Sequence, residues 1–327
     1  MPTDLPVMFA RNLTLITEFL LVGFGEVGDL KFLLFVFLLI IFIMALMGNS
    51  LVTVLVVVSS SLHSPMYFFI SQMSLSEILF TSNIVPHMLW LVLVGGGKVS
   101  TNQCFLQFYL LSVSTVAQCQ LLIVMSFDRY VAICKPFHYN MIMTATLQLQ
   151  IVVLSWSAGF TLSLLPYMFL SKLEFCGPNI INHFFCDIDP VLQLSCSDTS
   201  SMQLVTYIMS ISAVVWPFLF ITSTYISIIH TIQKMTSTVR RQKAFSTCSS
   251  HLMVVCLYFG SLATIYIFSP KTSSGGDTNK YLSLLYILVT PVCNPLVYSL
   301  RNKDIKSSLI KYVHILCNCF LTCIEQQ

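Results

Sequence analysis

The chain has 327 residues, of which 56% are hydrophobic and only 9% are charged, with a net charge of +3. Together with a mean hydropathy of +0.83, that balance excludes a soluble domain. A bilayer crossing takes roughly 20 predominantly apolar residues, so this length accommodates seven crossings and leaves little for anything else.

In chain order, apolar stretches predict spans over residues 31–58, 66–94, 101–133, 146–170, 203–232, 245–268 and 281–300. Polar, Gly-bearing or Pro-bearing segments at 59–65, 95–97, 134–136 and 271–277 separate them, as turns require. Continuous apolar faces rule out a lipid-embedded barrel, whose strands would alternate. Beyond the last span, residues 302–316 set Lys303, Lys306 and Lys311 opposite Ile305, Leu309 and Ile310, the spacing of an amphipathic helix lying along a membrane. The predicted fold is an all-α membrane protein, a seven-transmembrane helix bundle with a short juxtamembrane amphipathic helix. Its divisions are an extracellular N-terminal tail (1–30), the seven-span domain (31–300) and a cytoplasmic amphipathic helix and tail (301–327).

Orientation follows from the bias of Lys and Arg beside the spans. With the N-terminus outside, the cytoplasmic segments hold Arg129, Lys135, Lys234, Arg240, Arg241, Lys243, Arg301, Lys303, Lys306 and Lys311, leaving six of the 16 basic residues for the other side. The first inner loop, 59–64, contributes none of these. Asn12-Leu13-Thr14 is the sole glycosylation sequon, and it falls in the segment this orientation places in the lumen. Residues 1–11 lack an apolar core, so a cleavable signal peptide is not expected.

Asp128 and Arg129 stand side by side at the end of the third span. A charge at mid-bilayer costs about 2.5 to 3.5 kcal/mol, so an adjacent acid and base sit near an interface and pair. Such a pair marks a switch or a transport path. Glu77, in the second span, is the other acid inside the apolar stretches; its candidate partners are Gln118 and Asn294. Of the 12 cysteines, Cys104, Cys176, Cys186 and Cys196 face the oxidising side, and sequence leaves their three possible pairings open. Cys119, Cys134, Cys248, Cys256 and Cys293 read as packing residues, while Cys317, Cys319 and Cys323 occupy a tail position open to S-acylation.

An enzyme finds no support. Metal-ligand spacing, a phosphate loop and a nucleophile elbow are missing, and the 7 histidines are scattered. Nothing points to a cofactor or a nucleic-acid partner. A transporter would show internal repeats and several ionisable groups near the midplane, whereas the two halves do not repeat and Glu77 stands nearly alone.

Five segments carry a more specific resemblance: Thr17-Glu-Phe-Leu-Leu-Val-Gly-Phe24, Pro65-Met-Tyr-Phe-Phe69, Met125 to Cys134, Lys243-Ala-Phe-Ser-Thr-Cys-Ser-Ser-His251, and Pro291-Val-Cys-Asn-Pro-Leu-Val-Tyr-Ser-Leu-Arg-Asn302. Gly48-Asn49 and the cysteine-rich loop from Phe175 to Asp198 add to it. With these, nearly the whole chain resembles an olfactory receptor of the tetrapod-type branch, within the rhodopsin-like G-protein-coupled receptors. A non-olfactory rhodopsin-like receptor is the alternative, against which the Lys243 to His251 segment argues.

The resemblance implies a Cys104–Cys186 disulfide pinning the outer loop over the third span, with Cys176–Cys196 as the second. Chain entropy alone would assign the first about 4.5 kcal/mol, for a random coil that membrane-held helices never become, so the bridge shapes a lid more than it stabilises the fold. Switch roles are implied for Asp128, Arg129 and Tyr130, for Tyr225, and for Asn294, Pro295 and Tyr298. Pro295 removes a backbone donor, and Asn294 and Tyr298 are expected to re-satisfy the freed groups. Glu77 and Gln118 resemble the family's cation pocket, yet both depart from its usual Asp and Glu. A protonated Glu77 bonded to Gln118 therefore stands beside a bound sodium ion.

By correspondence, the ligand pocket is expected at Phe108, Leu111, Ser112, Thr115, Val116, Met209, Ala213, Phe259, Leu262, Ala263, Tyr266 and Ile287. Leu111 stands where aminergic receptors place an acid, so the predicted ligand is a small, largely apolar, uncharged odorant held by hydrogen bonds to Ser112, Thr115 or Tyr266. The order Leu257-Tyr-Phe-Gly260 swaps two aromatics relative to the family and predicts a pocket floor at Phe259 without a polar handle. A ligand of roughly ten heavy atoms would bind in the micromolar to millimolar range, and agonism would come from preferring the active state. Lys234, Arg240, Arg241 and Lys243 serve as a topology signal and also suit the C-terminal helix of a partner. Implied partners are a volatile odorant, membrane lipid at the plasma membrane, and the stimulatory, olfactory-type heterotrimeric G protein that raises cyclic AMP.

Overall fold

The computed structural model describes residues 16–25, 28–176, 178–268 and 276–325. Among them, seven helices are long and apolar enough to cross a membrane. They are α1 (Lys31–Val58), α2 (Pro65–Val94), α3 (Thr101–Cys134), α4 (Ala145–Leu170), α5, α6 (Thr238–Phe268) and α7. Helix α5 runs as Ser200–Ser210, a π-helical turn at Ile211–Val215, and Trp216–Gln233; α7 runs as Gly276–Leu284, a π-helical turn at Leu285–Val289, and Thr290–Arg301. An eighth helix, α8 (Lys303–Glu325), follows directly. The bounds of α1 coincide with the predicted span. Helix α6 begins at Thr238 instead of 245, because its polar first turns, in which Arg240 and Arg241 are exposed, continue the helix beyond the apolar stretch that hydropathy marks.

Local chemistry sets the helix ends. Pro65 opens α2, where a missing N–H costs nothing, and Gly95 closes it with φ 83°, a conformation that favours glycine. Ser100 begins α3 with a capping box: its hydroxyl accepts from Gln103 N at 3.3 Å, and the Gln103 side chain accepts from Ser100 N at 3.3 Å.

Three short strands cover one end of the bundle. β1 (Glu18–Leu21) lies between β2 (Gly97–Ser100) and β3 (Ile180–Ile181), antiparallel to β2 and parallel to β3. Thus part of the segment expected as an N-terminal tail is a strand, with Phe19 and Leu21 fully buried on one of its faces. The structure pairs Cys104 with Cys186 (Cα atoms 5.4 Å apart) and Cys176 with Cys196 (5.8 Å), so the α4–α5 loop is tied both to α3 and to itself.

Helix α3 is central, packed against α2, α4 and α5, with Ala117, Cys119, Leu121 and Leu122 fully buried. Helix α1 exposes Phe32, Phe37, Met47 and Val57, the outer face of a protein whose solvent is hydrocarbon. Two glycines permit close helix crossings. A Cβ on Gly48 would lie 2.9 Å from Pro295 Cγ, and one on Gly159 would lie 2.8 Å from the Val113 carbonyl oxygen. At the end opposite the sheet, α8 buries Ile305 and Ser308 and exposes Lys303, Lys306 and Lys311. Tyr67 of α2 fixes its start, donating to Asn302 Oδ1 (3.0 Å) and Asp304 Oδ2 (2.8 Å). The sequon at Asn12, and the side chains of Tyr266, Cys317, Cys319 and Cys323, lie outside the described residues.

Candidate functional site

Near the sheet end, α3, α4, α5 and α6 line a partly open cavity of about 190 Å³. Of the residues expected there, Phe108, Leu111, Ser112, Thr115, Val116, Met209, Ala213 and Leu262 line it. Phe259 does not: its ring packs 5.5 Å from Phe218. Ala263 is exposed and Ile287 is buried in the core. Their places are taken by Ser163 and Pro166 of α4, by Ile188 of the loop, and by Thr206, Ser210 and Val214 of α5. Sequence correspondence assigned nothing to α4, and nothing in the hydropathy of that span distinguishes a cavity-facing serine from a packed one.

The hydroxyls of the α3 wall are already engaged. Ser112 donates to the Phe108 carbonyl at 2.9 Å; Thr115 donates to Leu111 at 2.9 Å and meets the Tyr286 hydroxyl at 2.9 Å. Beneath them lies Tyr258, fully buried, its hydroxyl 3.3 Å from the Thr115 carbonyl oxygen and 3.4 Å from Cys119 Sγ. The swapped aromatics therefore leave a polar group under the cavity on Tyr258, where an apolar floor at Phe259 had been expected.

The α4–α5 loop roofs this end. Asp187 caps a short helix, Ile188–Leu192, by accepting from Ile188 N at 2.8 Å. Gln107 of α3 holds the loop through Cys186 N (2.9 Å), and Gln107 and Asn83 exchange side-chain to backbone hydrogen bonds between α3 and α2 (2.9 and 3.2 Å). His183 is buried with its ring 4.4 Å from Phe185 and 4.6 Å from Phe184, and its Nδ1 accepts from Phe184 N. Burial, with the Lys280 charge, pushes the imidazole down to about 3. Burial, with the Asp189 charge, pushes the Asp187 carboxyl up to about 6.

Deeper in the bundle, Pro295 has no N–H to offer the Pro291 carbonyl one turn back. Asn49 of α1 supplies the missing donor: its Nδ2 lies 2.9 Å from Pro291 O and 2.9 Å from Ala45 O. This corrects the expectation that Asn294 and Tyr298 would re-satisfy the freed group. Asn294 instead donates to Glu77, and the buried Tyr298 hydroxyl has no hydrogen-bond partner among the described residues. Glu77 accordingly bonds to Asn294 and not to Gln118, although Gln118 is itself buried. Among the described residues, Glu77 Oε2, Asn49 Oδ1 and Asn294 Oδ1 are left without a hydrogen-bond partner, acceptors suited to a hard cation or to a proton on Glu77. Among the described residues, no cluster of three His, Cys, Asp or Glu side chains could hold a metal ion.

At the far end, Asp128 is fully buried and Arg129 nearly so. Arg129 donates from Nε to Asp128 Oδ2 at 2.9 Å and also from Nη2 to the same oxygen. Tyr139, in the short helix Tyr139–Ile142 beyond α3, donates to the other oxygen, Oδ1, at 2.8 Å. The phenol is pushed up by burial and by the Asp128 charge. Tyr130 is half-buried, with Lys135 Nζ 5.9 Å from its ring centroid. Tyr225 bridges α5 to α6, meeting His251 Nδ1 at 2.7 Å and donating to the Cys248 carbonyl at 3.3 Å. Tyr139, His251 and Asn49 were missed as site residues, although His251 and Asn49 stand within quoted motifs.

A cavity walled by uncharged residues at one end of seven helices, with a buried acid–base pair at the other, leaves the family to be decided by comparison. The family model for olfactory receptors matches residues 38–318. The chain belongs to the olfactory receptor family. It is 40% identical over 308 residues to olfactory receptor 10A4 of Homo sapiens, covering 94% of this chain and 98% of that one. It is similarly 40% identical to olfactory receptor 6E1 of Mus musculus, with 92% and 96% covered, and 39% identical to olfactory receptor 226 of Rattus norvegicus, with 92% and 93% covered. This olfactory receptor is thus a G-protein-coupled receptor and not an enzyme, a multi-pass plasma membrane protein of a family that senses odorants through G proteins.

Proposed function

We propose that the receptor binds a small, largely apolar, uncharged odorant in the 190 Å³ cavity and couples it to a stimulatory, olfactory-type G protein that raises cyclic AMP. One observation carries the ligand class: none of the described side chains lining the cavity is ionisable. An ammonium or carboxylate placed there would lose its hydration with no counter-charge in return.

In this reading the N-terminus is outside, so the sheet and the disulfide-tied loop roof the ligand, and Asn12 is glycosylated. Asp128 and Tyr139 restrain Arg129 at rest. An agonist that prefers the active state shifts the population toward one in which the guanidinium is released to the partner. A cleft of about 490 Å³ between α5 and α6, lined by Ile229, Ile232, Arg241 and Phe245, lies on that side. Gln233, Thr238 and Gln242 complete its lining, and the apolar side chains together with the Arg241 cation suit the C-terminal helix of a G protein, whose carbonyl end favours positive charge. Tyr130, Tyr225, Asn294, Pro295 and Tyr298 take the parts of the moving contacts.

The test is a cyclic AMP readout in cells expressing the receptor, over a panel of neutral volatiles and protonated amines. Activation by neutral members is expected. Activation by amines alone would overturn the ligand class.

A further inference from the structure

Hydroxyls buried in a membrane helix ordinarily return their proton to a carbonyl one turn back. On α4, Ser155 bonds Ile151 O and Thr161 bonds Ser157 O, each at 2.8 Å. Across the cavity, Ser112, Thr115 and Thr206 do the same with Phe108, Leu111 and Met202, each at 2.9 Å. Ser163 does not. It is 1% exposed, it lines the cavity, and its hydroxyl has no hydrogen-bond partner among the described residues.

The position of Ser163 is fixed from both sides. One turn toward the Arg129 end, Gly159 brings α4 so near α3 that a Cβ there would lie 2.8 Å from the Val113 carbonyl oxygen. Just toward the sheet, Pro166 interrupts the helix ladder and lines the same cavity. A buried polar group left unpaired is a cost that a partner can remove. Ser163 is itself one of the residues lining the ligand cavity.

We infer that Ser163 is the hydrogen-bond anchor of the cavity and selects neutral ligands bearing an acceptor oxygen, a ketone, aldehyde or ester, over hydrocarbons of the same shape. The inference rests on the ligand-cavity reading above and moves the anchor from Ser112, Thr115 or Tyr266, where sequence had placed it, to α4. Ser112 and Thr115 have already committed their protons, whereas Ser163 can donate without giving up an existing bond. A buried site with an unpaired donor discriminates against the analogue lacking the acceptor, because that analogue leaves the donor unpaired.

The experiment compares ketones of several carbon skeletons with the matching 1,1-disubstituted alkenes, in which C=CH₂ replaces C=O. Cyclic AMP dose–response curves are recorded for the parent, Ser163→Ala and Ser163→Gly at matched surface expression. In the parent, at least one ketone should be about tenfold more potent than its alkene, the effect of one net hydrogen bond. In either variant that ratio should fall toward one, mainly through weaker ketone responses. A ketone-to-alkene ratio unchanged in both variants, or parent responses to alkenes equal to those to ketones, overturns the inference and leaves the cavity reading intact. A parent that responds to none of these neutral compounds while responding to protonated amines overturns both.

Discussion

Asn49 of α1 and Pro291 of α7 are 242 residues apart in the chain, and the Asn49 side-chain amide donates to the Pro291 carbonyl at 2.9 Å. The bond exists because Pro295 cannot fill that acceptor. Replacing Asn49 by Leu should leave Pro291 O buried and unpaired, lowering stability by about 1–3 kcal/mol. Pro295→Ala restores a backbone donor, so the Asn49→Leu penalty should shrink by about 1 kcal/mol on that background. Thermal unfolding of the four purified forms measures the cycle, and strictly additive shifts would contradict the link.

Tyr139 donates to Asp128 Oδ1, while Arg129 bonds Oδ2. A hydrogen bond to a charged group contributes about 1.5–3 kcal/mol. Tyr139→Phe should therefore raise the active fraction at rest by about tenfold or more where that fraction is small. Basal cyclic AMP at matched surface expression reads this; an unchanged basal level would detach Tyr139 from the switch.

The roofing loop carries two opposed titrations. Between pH 3 and 6.5 the unfolded loop takes up a proton that buried His183 refuses, so this contribution to stability is lost as pH falls through that window. Between pH 3.8 and about 6 the folded loop retains a proton on Asp187 that the unfolded loop has released, so that contribution fades as pH rises. Protection of the loop amides from hydrogen exchange, corrected for intrinsic rates, should rise from pH 4 to 7 in Asp187→Asn and fall over the same range in His183→Gln. Slopes of the same sign in both variants would contradict these assignments.

Two glycines should differ sharply on substitution. Gly159→Ala forces a Cβ against backbone at 2.8 Å, whereas a Cβ on Gly260 meets nothing within 4 Å. Gly159→Ala should destabilise by about 1–3 kcal/mol through displacement of α4 from α3. Gly260→Ala, within a helix, should be neutral or stabilise by up to about 1 kcal/mol. Melting temperatures of the two variants check this contrast.

These relationships show where sequence reading reaches and where it stops. Spans such as α1 are legible because the hydrophobic thickness of a bilayer fixes their length. The eight cavity residues found by correspondence lie on α3, α5 and α6, where resemblance supplied the helix face. The Asn49–Pro291 bond was invisible, because a proline in α7 reveals a vacant acceptor without revealing which helix fills it. The four-residue strand β1 was hidden likewise, too short for alternation to stand out from the apolar span that follows. Ser163 looked like any serine in α4, since only three-dimensional contacts show that its proton is uncommitted.

The central claim is that occupancy of the cavity reaches Arg129. Its most direct measurement is odorant-evoked cyclic AMP in cells carrying Arg129→Ala beside the parent at equal surface density. The account predicts a graded response to a neutral volatile in the parent and its loss in Arg129→Ala; a variant that signals like the parent would contradict it.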